Sequence, residues 1–490
     1  MRRIAATEAS RTGWSRGHIV PTLFVLVTLL VAATQARAIP VFNRQTGQNC
    51  VACHAGGQFP DLTSYGRLFK LTGYTIGEHA LPLAAMGVAS YNKTRSTASP
   101  DPSFDSPANL PKDGNLIFQT GSVFLGGKVT NNLGAFVQFT YNNYDHQSAS
   151  DSHWIGHTVS DNLDVRYVDR FIQPGRDLIV GATMNNNPGV QDAWNSIPAW
   201  GYNVVPGSTG PATTPLVAGG LAQNVAGFGA YAYWNRTLYA EVTGYRTANG
   251  VWSFMSQGFN AERGDQAIVK GVNPYWRLAL THDWGPHSAM VGTFGFDAKV
   301  FPDPTDPTGS TSNYRDVGVD GQYQYILDPH AVTLTASYIH EHVHYADSLA
   351  NQAPPLDPDG SLGLPLTNAS DTLKMFRAKA SYSYNAKYGG SVSYFDVTGS
   401  TNSALQSSAF DPSNPGMLLD GSQGVTGNLS GNPGTSGWTL EAFWLPIQNV
   451  RLGIEYTMFN RFNGASSNYD GFGRSAKDND TLFLYAWAAF

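Results

Sequence analysis

Two cysteines, Cys50 and Cys53, are all that the 490-residue chain contains. So few thiols exclude a disulfide-built scaffold, and without a second CxxC pair a four-ligand zinc site is incomplete. Charge is also scarce: Asp, Glu, Lys and Arg make up 13% of the chain, about half the usual globular share. After residue 38 no apolar run is long enough for a membrane helix. There is no fixed-period repeat, and no βαβ pattern to accompany a thioredoxin-like redox pair. What remains is a chain rich in Gly, Tyr, Asn, Ser and Thr.

The N-terminus carries Arg2, Arg3, Arg11 and Arg16, then an apolar run over residues 19–33, then Ala36-Arg37-Ala38. This is the layout of a signal peptide, residues 1–38, cut after Ala38. A membrane anchor is the weaker reading, because the run is short and contains Pro21.

Residues 50–54 read Cys-Val-Ala-Cys-His. In a CxxCH run two thiols form thioethers with the haem vinyl groups, and the adjoining histidine ligates the iron. Cys50 and Cys53 are therefore expected to carry one covalent haem c, with His54 as its proximal ligand. The segment around it, residues 39–80, has one clear helical pattern. Asp61 or Thr63 can cap a helix that gathers Leu62, Tyr65, Leu68 and Phe69 on one side, and Gly73 ends it. A unit this small cannot bury a core alone, so it needs the haem and a host surface. Arg44, Arg67 or Lys70 can pair with haem propionates, or simply be solvated.

From residue 81 to 490 the pattern is alternation with period two. Leu133, Ala135, Val137, Phe139 and Tyr141 oppose Gln138, Thr140 and Asn142. Leu238, Ala240 and Val242 oppose Tyr239, Glu241 and Thr243, and Leu452, Ile454 and Tyr456 oppose Arg451, Glu455 and Thr457. Apolar-out, polar-in strands are those of a transmembrane β-barrel. Connections alternate in length. Tight ones fall at 131–134, 174–176, 235–236, 283–287, 328–329, 385–387 and 446–449, and long Gly/Pro/Ser/Asn-rich ones centre near 104, 152, 205, 260, 306, 358, 418 and 470. Seven turns and eight loops give an all-β barrel of about sixteen strands, with both ends of the chain on the short-turn side. In outer-membrane barrels that side is periplasmic and the long loops are extracellular. A barrel of this size encloses an aqueous channel unless plugged, and the haem segment, entering the first strand near residues 81–93, is expected to plug the periplasmic side. In the last strand Phe483, Tyr485 and Trp487 fall on the lumen face. Either Trp487 belongs to the aromatic girdle, or the lumen is locally aromatic because something packs there.

Several runs resemble the fused monohaem cytochrome-porins of bacterial outer membranes, a family that includes iron oxidases. They are residues 40–47 (PVFNRQTG) leading into CxxCH, then Phe59-Pro60, Gly66-Arg67, Phe69-Lys70, Gly73-Tyr74 and Glu78-His79. Residues 186–192 (NNPGVQD) and Trp194-Asn195 also look familial. The resemblance implies an Fe(II)-oxidising oxidoreductase in the lipid outer membrane. Electrons would pass from extracellular Fe(II) through the haem to a periplasmic carrier, a c-type cytochrome or a blue-copper protein. No nucleic-acid partner is expected. The alternatives are a haem-containing porin that passes or senses a solute, or a cytochrome-porin with another donor.

The distal haem ligand is expected to be His79, just before the first strand, with Met86 or an open site as alternatives. His340, His342 and His344 share one strand face above the outer belt, where they can bind a divalent metal, together with Asp145, His146, Asp151, His153 and His157, or stand solvated.

Overall fold

The computed structural model describes residues 40–57, 61–96, 113–147, 154–197, 213–258, 267–346, 368–402, 428–471 and 473–490. The expected signal peptide lies outside the described residues, as do Phe59, Pro60, Asp151 and His153. Period-two alternation becomes sixteen strands: β1 (Leu83–Thr94), β2 (Leu116–Lys128), β3 (Leu133–Gln147), β4 (Trp154–Gln173), β5 (Arg176–Asn185), β6 (Val225–Trp234), β7 (Leu238–Thr247) and β8 (Asn273–Trp284). They continue with β9 (His287–Val300), β10 (Ser312–Leu327), β11 (His330–His344), β12 (Ser370–Tyr384), β13 (Tyr388–Gly399), β14 (Thr435–Ile447), β15 (Val450–Arg461) and β16 (Thr481–Ala489).

Each strand pairs antiparallel with its neighbours, and β1 closes on β16 with Met86 opposite Ala489, so the sheet has no free edge. All seven expected tight turns join the strands they were assigned to join. Asn235 and Arg236 take left-handed φ of 49° and 51°, the hairpin geometry that matches strand twist, and asparagine tolerates it well. Because the seven turns alternate with long connections, one end of the barrel carries the turns and the other the loops. Both ends of the wall, Leu83 and Ala489, are at the short-turn end.

Strand faces follow the alternation. Phe139, Val242, Leu452 and Ile454 are exposed on the outside, whereas Gln138, Glu241, Thr243 and Arg451 are buried inside. An outer surface of this kind is stable only against lipid. At the short-turn end it carries Trp234, Trp284, Tyr384 and Trp444, and toward the loop end Tyr338, Phe376 and Trp438. These are the two aromatic girdles of a membrane-spanning barrel.

The lumen is filled from both ends. From the short-turn side enters the N-terminal segment, with helices α1 (Pro40–Thr46), α2 (Cys50–Cys53) and α3 (Ser64–Leu71). From the loop side the β5–β6 connection folds inward through the short helix α4 (Pro188–Gln191), burying Val190, Trp194, Ile197 and Val217. Here the familial-looking run at 186–192 finds its place inside the barrel rather than on its surface.

Candidate functional site: a cavity behind the CxxCH run

The N-terminal segment is a chain of local caps tied to the wall by polar side chains. Thr63 caps α3, its side chain accepting from Gly66 N at 3.1 Å while its backbone N–H donates to Cys53 O at 2.9 Å. One residue thus ends the CxxCH loop and starts the helix. A Cβ on Gly66 would run into the Cys53 carbonyl oxygen, so this glycine lets α3 lie directly against α2. Gln45 in α1 donates to Tyr74 O at 2.6 Å and Ile76 O at 2.8 Å, joining the start of the segment to its end. Phe42 packs on Phe69 (centroids 5.0 Å) and Tyr74 (5.5 Å), and through Phe136 onto β3.

The expected helix is present as α3, with Thr63 rather than Asp61 as its cap. Helix α1 was not anticipated. Seven residues with one charge give no periodicity to read, and it is held by Phe42 and Gln45 contacts that exist only in the folded chain.

Arg67 is buried against the wall, donating to Gln322 (3.0 Å), Gln324 (2.9 Å) and Ser288 (2.6 Å) and to Leu62 O (2.7 Å). Its acceptors are all neutral, and burial pushes the guanidinium down. Arg67 is an anchor for the segment, not a group facing a ligand. Tyr74 donates to Asp164 at 2.6 Å, Tyr231 to Leu71 O at 2.8 Å, and Ser383 to Gly56 O at 3.0 Å. Arg44 donates to Leu81 O and Leu83 O near the mouth.

Above the segment is a cavity of about 600 Å³, within the size range of cofactor sites. Cys50, Cys53 and His54 line it from the segment, Met86 from β1, Trp487 from β16, and Val190 and Asp192 from the inward loop. Its apolar wall includes Phe42, Phe69, Phe124 and Phe136. Trp487 is buried on the lumen face with Phe483 and Tyr485 and lines the cavity that the segment borders, so it is not a girdle residue.

The residues fit a haem c. Cys50 and Cys53 are not joined in a disulfide. Burial pushes the Cys53 thiol up to about 11, so the sulfur is uncharged, as a thioether is. Burial pushes the His54 imidazole down to about 4, leaving the neutral ring that ligates iron. Of the three candidate propionate partners, Lys70 lines the cavity, with its ammonium donating to Val190 O and to Asp192 O. Burial lowers it to about 8.

The structure does not bring His79 to the cavity. Glu78 N donates to Gln45 O at 2.9 Å, on the mouth side of α1, and the next residue is exposed as the chain leaves for β1. Met86 points inward, two residues beyond Ala84 on the same face, and lines the same cavity as His54. Alternation along β1 could have indicated this, since Ala84, Met86 and Val88 share a face. His340, His342 and His344 stand on the outer face as expected. His340 and His344, four residues apart on one strand, are roughly 13 Å from one another, too far for all three imidazoles to share an ion. Among the described residues no group of three His, Cys, Asp or Glu side chains could hold a metal.

No protein-family model matches the chain, and a search of curated proteins finds no match. Solved structures resemble it in fold. The outer membrane channel DcaP of Acinetobacter baumannii aligns over 83% of this chain and 96% of its own, with 12% identity and a TM-score of 0.41. The anion-selective porin from Comamonas acidovorans aligns over 83% and 98%, with 10% identity and a TM-score of 0.40. OmpF of Salmonella typhi aligns over 83% and 97%, with 12% identity and a TM-score of 0.37. At such values the likeness carries no more than strand pairing already gives: a closed sixteen-stranded antiparallel barrel of porin type.

Proposed function

We propose that the chain is an outer-membrane electron-transfer protein that oxidises extracellular Fe(II) through a single c-type haem and passes the electron to a periplasmic carrier, a c-type cytochrome or a blue-copper protein. The observation that carries this reading is the enclosure of the CxxCH run, with its neutral histidine, in a cavity inside a lipid-facing barrel. On this reading the long loops are extracellular and the short-turn end periplasmic.

When bound, the haem supplies one-electron chemistry: Fe(II) becomes Fe(III), and the electron leaves to the carrier. The chain's own residues fix the conditions. Cys50 and Cys53 hold the group covalently, and His54 presents its neutral imidazole. Phe42, Phe69, Phe124 and Phe136 exclude water, which favours a high potential. Lys70 balances negative charge beside Val190. The test is stopped-flow spectroscopy on closed vesicles with the loops outward and Fe(II) supplied only outside. Prompt growth of reduced haem bands is expected. A haem that stays oxidised under Fe(II), yet responds to donors from the short-turn side, would leave a haem-containing porin as the better account.

Met86 is the distal ligand in this proposal, replacing His79. Thioether ligation raises the potential relative to bis-histidine, which suits a haem that must accept electrons from Fe(II). In a spectroelectrochemical titration Met86→Leu is expected to lower the potential by something on the order of 100 mV, while His79→Ala leaves it unchanged. The reverse pattern would return the role to His79.

A further inference from the structure

The outer face of the barrel changes character abruptly at one place. Along β10, β11 and β12 the lipid-facing side chains are Val319 with Tyr338 and Phe376 up to the outer girdle. The next three outward rungs toward the loop end are basic. His340 lies opposite Lys374 and Val317, His342 opposite Arg315 and Thr372, and His344 opposite Asn313 and Ser370. On β9, Lys299 stands opposite Asn313 and Asp297 opposite Arg315. All three histidines, Lys299, Arg315 and Lys374 are exposed.

These side chains begin where the apolar band ends, so they stand at the level of lipid headgroups. On these rungs three permanent cations face one carboxylate, Asp297, which is held by Arg315 at 2.8 Å; beyond them in the β9–β10 connection Asp303 and Asp306 accept from Thr305 and Thr308. The next carboxylate along the rim, Asp396, pairs with Arg461 at 2.8 Å and does not offset Lys374. Against neutral lipid such a concentration of positive charge has no partner. Against a leaflet whose headgroups carry phosphate it has one for each rung.

We infer that the outward face of β9–β12 at the loop end is a binding site for the phosphate-bearing headgroups of the surrounding membrane lipid, with Lys299, Arg315 and Lys374 supplying its charge beside the three histidines. The placement in the outer leaflet rests on the orientation proposed above, but the binding itself does not.

The purified full-length protein, carrying its haem, is titrated in detergent with diphosphoryl lipid A, with the dephosphorylated lipid and with inorganic phosphate. Retention is read by native mass spectrometry. The phosphorylated lipid is expected to bind at least about tenfold more tightly than the dephosphorylated lipid. Lys374→Gln should weaken binding, and Lys299→Gln, Lys374→Gln together should weaken it further, while both variants keep the haem spectrum and heat-resistant barrel. Equal binding of the dephosphorylated lipid, or undiminished binding in the double variant, would overturn the inference. So would free phosphate competing away the lipid at equal concentration, which would make the patch an anion site without lipid preference. Because the assay contains no Fe(II) and no sided membrane, its outcome is separate from that of the electron-transfer reading.

Discussion

Replacing Arg277 with methionine is expected to release the inward loop and turn a filled barrel into a conducting one. Arg277 is fully buried on β8, pairing with Asp320 at 2.5 Å and with Asp192 of the loop at 3.7 Å. Its guanidinium also stands 5.2 Å from the Trp194 ring. Asp192 is the hub of the loop, accepting from the backbone of Trp194, Ser196 and Ile197. Ser196 in turn bonds Asp320, and Gln322 donates to Trp194 O at 3.0 Å. Removing Arg277 takes from Asp320 its paired cation and leaves Asp192 with Lys70 alone, a loss of about 3–5 kcal/mol. The cheapest relief is for the loop to swing out and hydrate both carboxylates. In planar bilayers the single-channel conductance of Arg277→Met should rise severalfold over the parent, with an earlier thermal transition. Equal conductance at equal insertion would mean that the loop does not close the lumen, and would strengthen the solute-passing alternative.

The second large effect concerns the thiols. In the parent protein, acidified acetone should leave the haem on the polypeptide, since two thioethers do not yield to it. In Cys50→Ser, Cys53→Ser the haem should extract completely or never be loaded. Loss of the group should also loosen the segment. Thr63 bonds both Cys53 and Ala52, so the CxxCH loop and α3 share their hydrogen bonds, and no large apolar core lies within the segment to hold them. Limited proteolysis should therefore cut the double variant within residues 40–80 while sparing the strands. A parent haem that comes away freely in acetone would refute covalent attachment outright.

The wall was legible because its rule is local. A residue two positions from Leu238 faces the same way as Leu238 whatever the partner strand is, and turns such as Asn235-Arg236 carry their own backbone preference. The contents of the lumen were not legible in this way. Residues 186–197 read as a Gly/Pro/Asn connection, and nothing local says that Asp192 meets an arginine on β8. Arg67 read as a propionate partner or a solvated cation because its acceptors, Gln322, Gln324 and Ser288, lie more than 220 positions away. His79 stands away from the cavity that Met86 lines for a similar reason. Proximity in sequence to the haem segment is not proximity in the barrel once Gln45 has folded Glu78 back against α1.

The segment's anchors have a consequence for how the molecule is made. Gly56 touches Ser383 across 327 positions, Arg67 reaches β9 and β10, and Tyr74 reaches β4. These contacts lie on widely separated parts of the circumference, and the segment is itself the lead-in to the strand that closes on β16. It is fastened to the wall at points all around the lumen, as a spindle is to its frame. On the function proposed above, a haem on Cys50 and Cys53 would have to be in place before the seam between first and last strands is sewn.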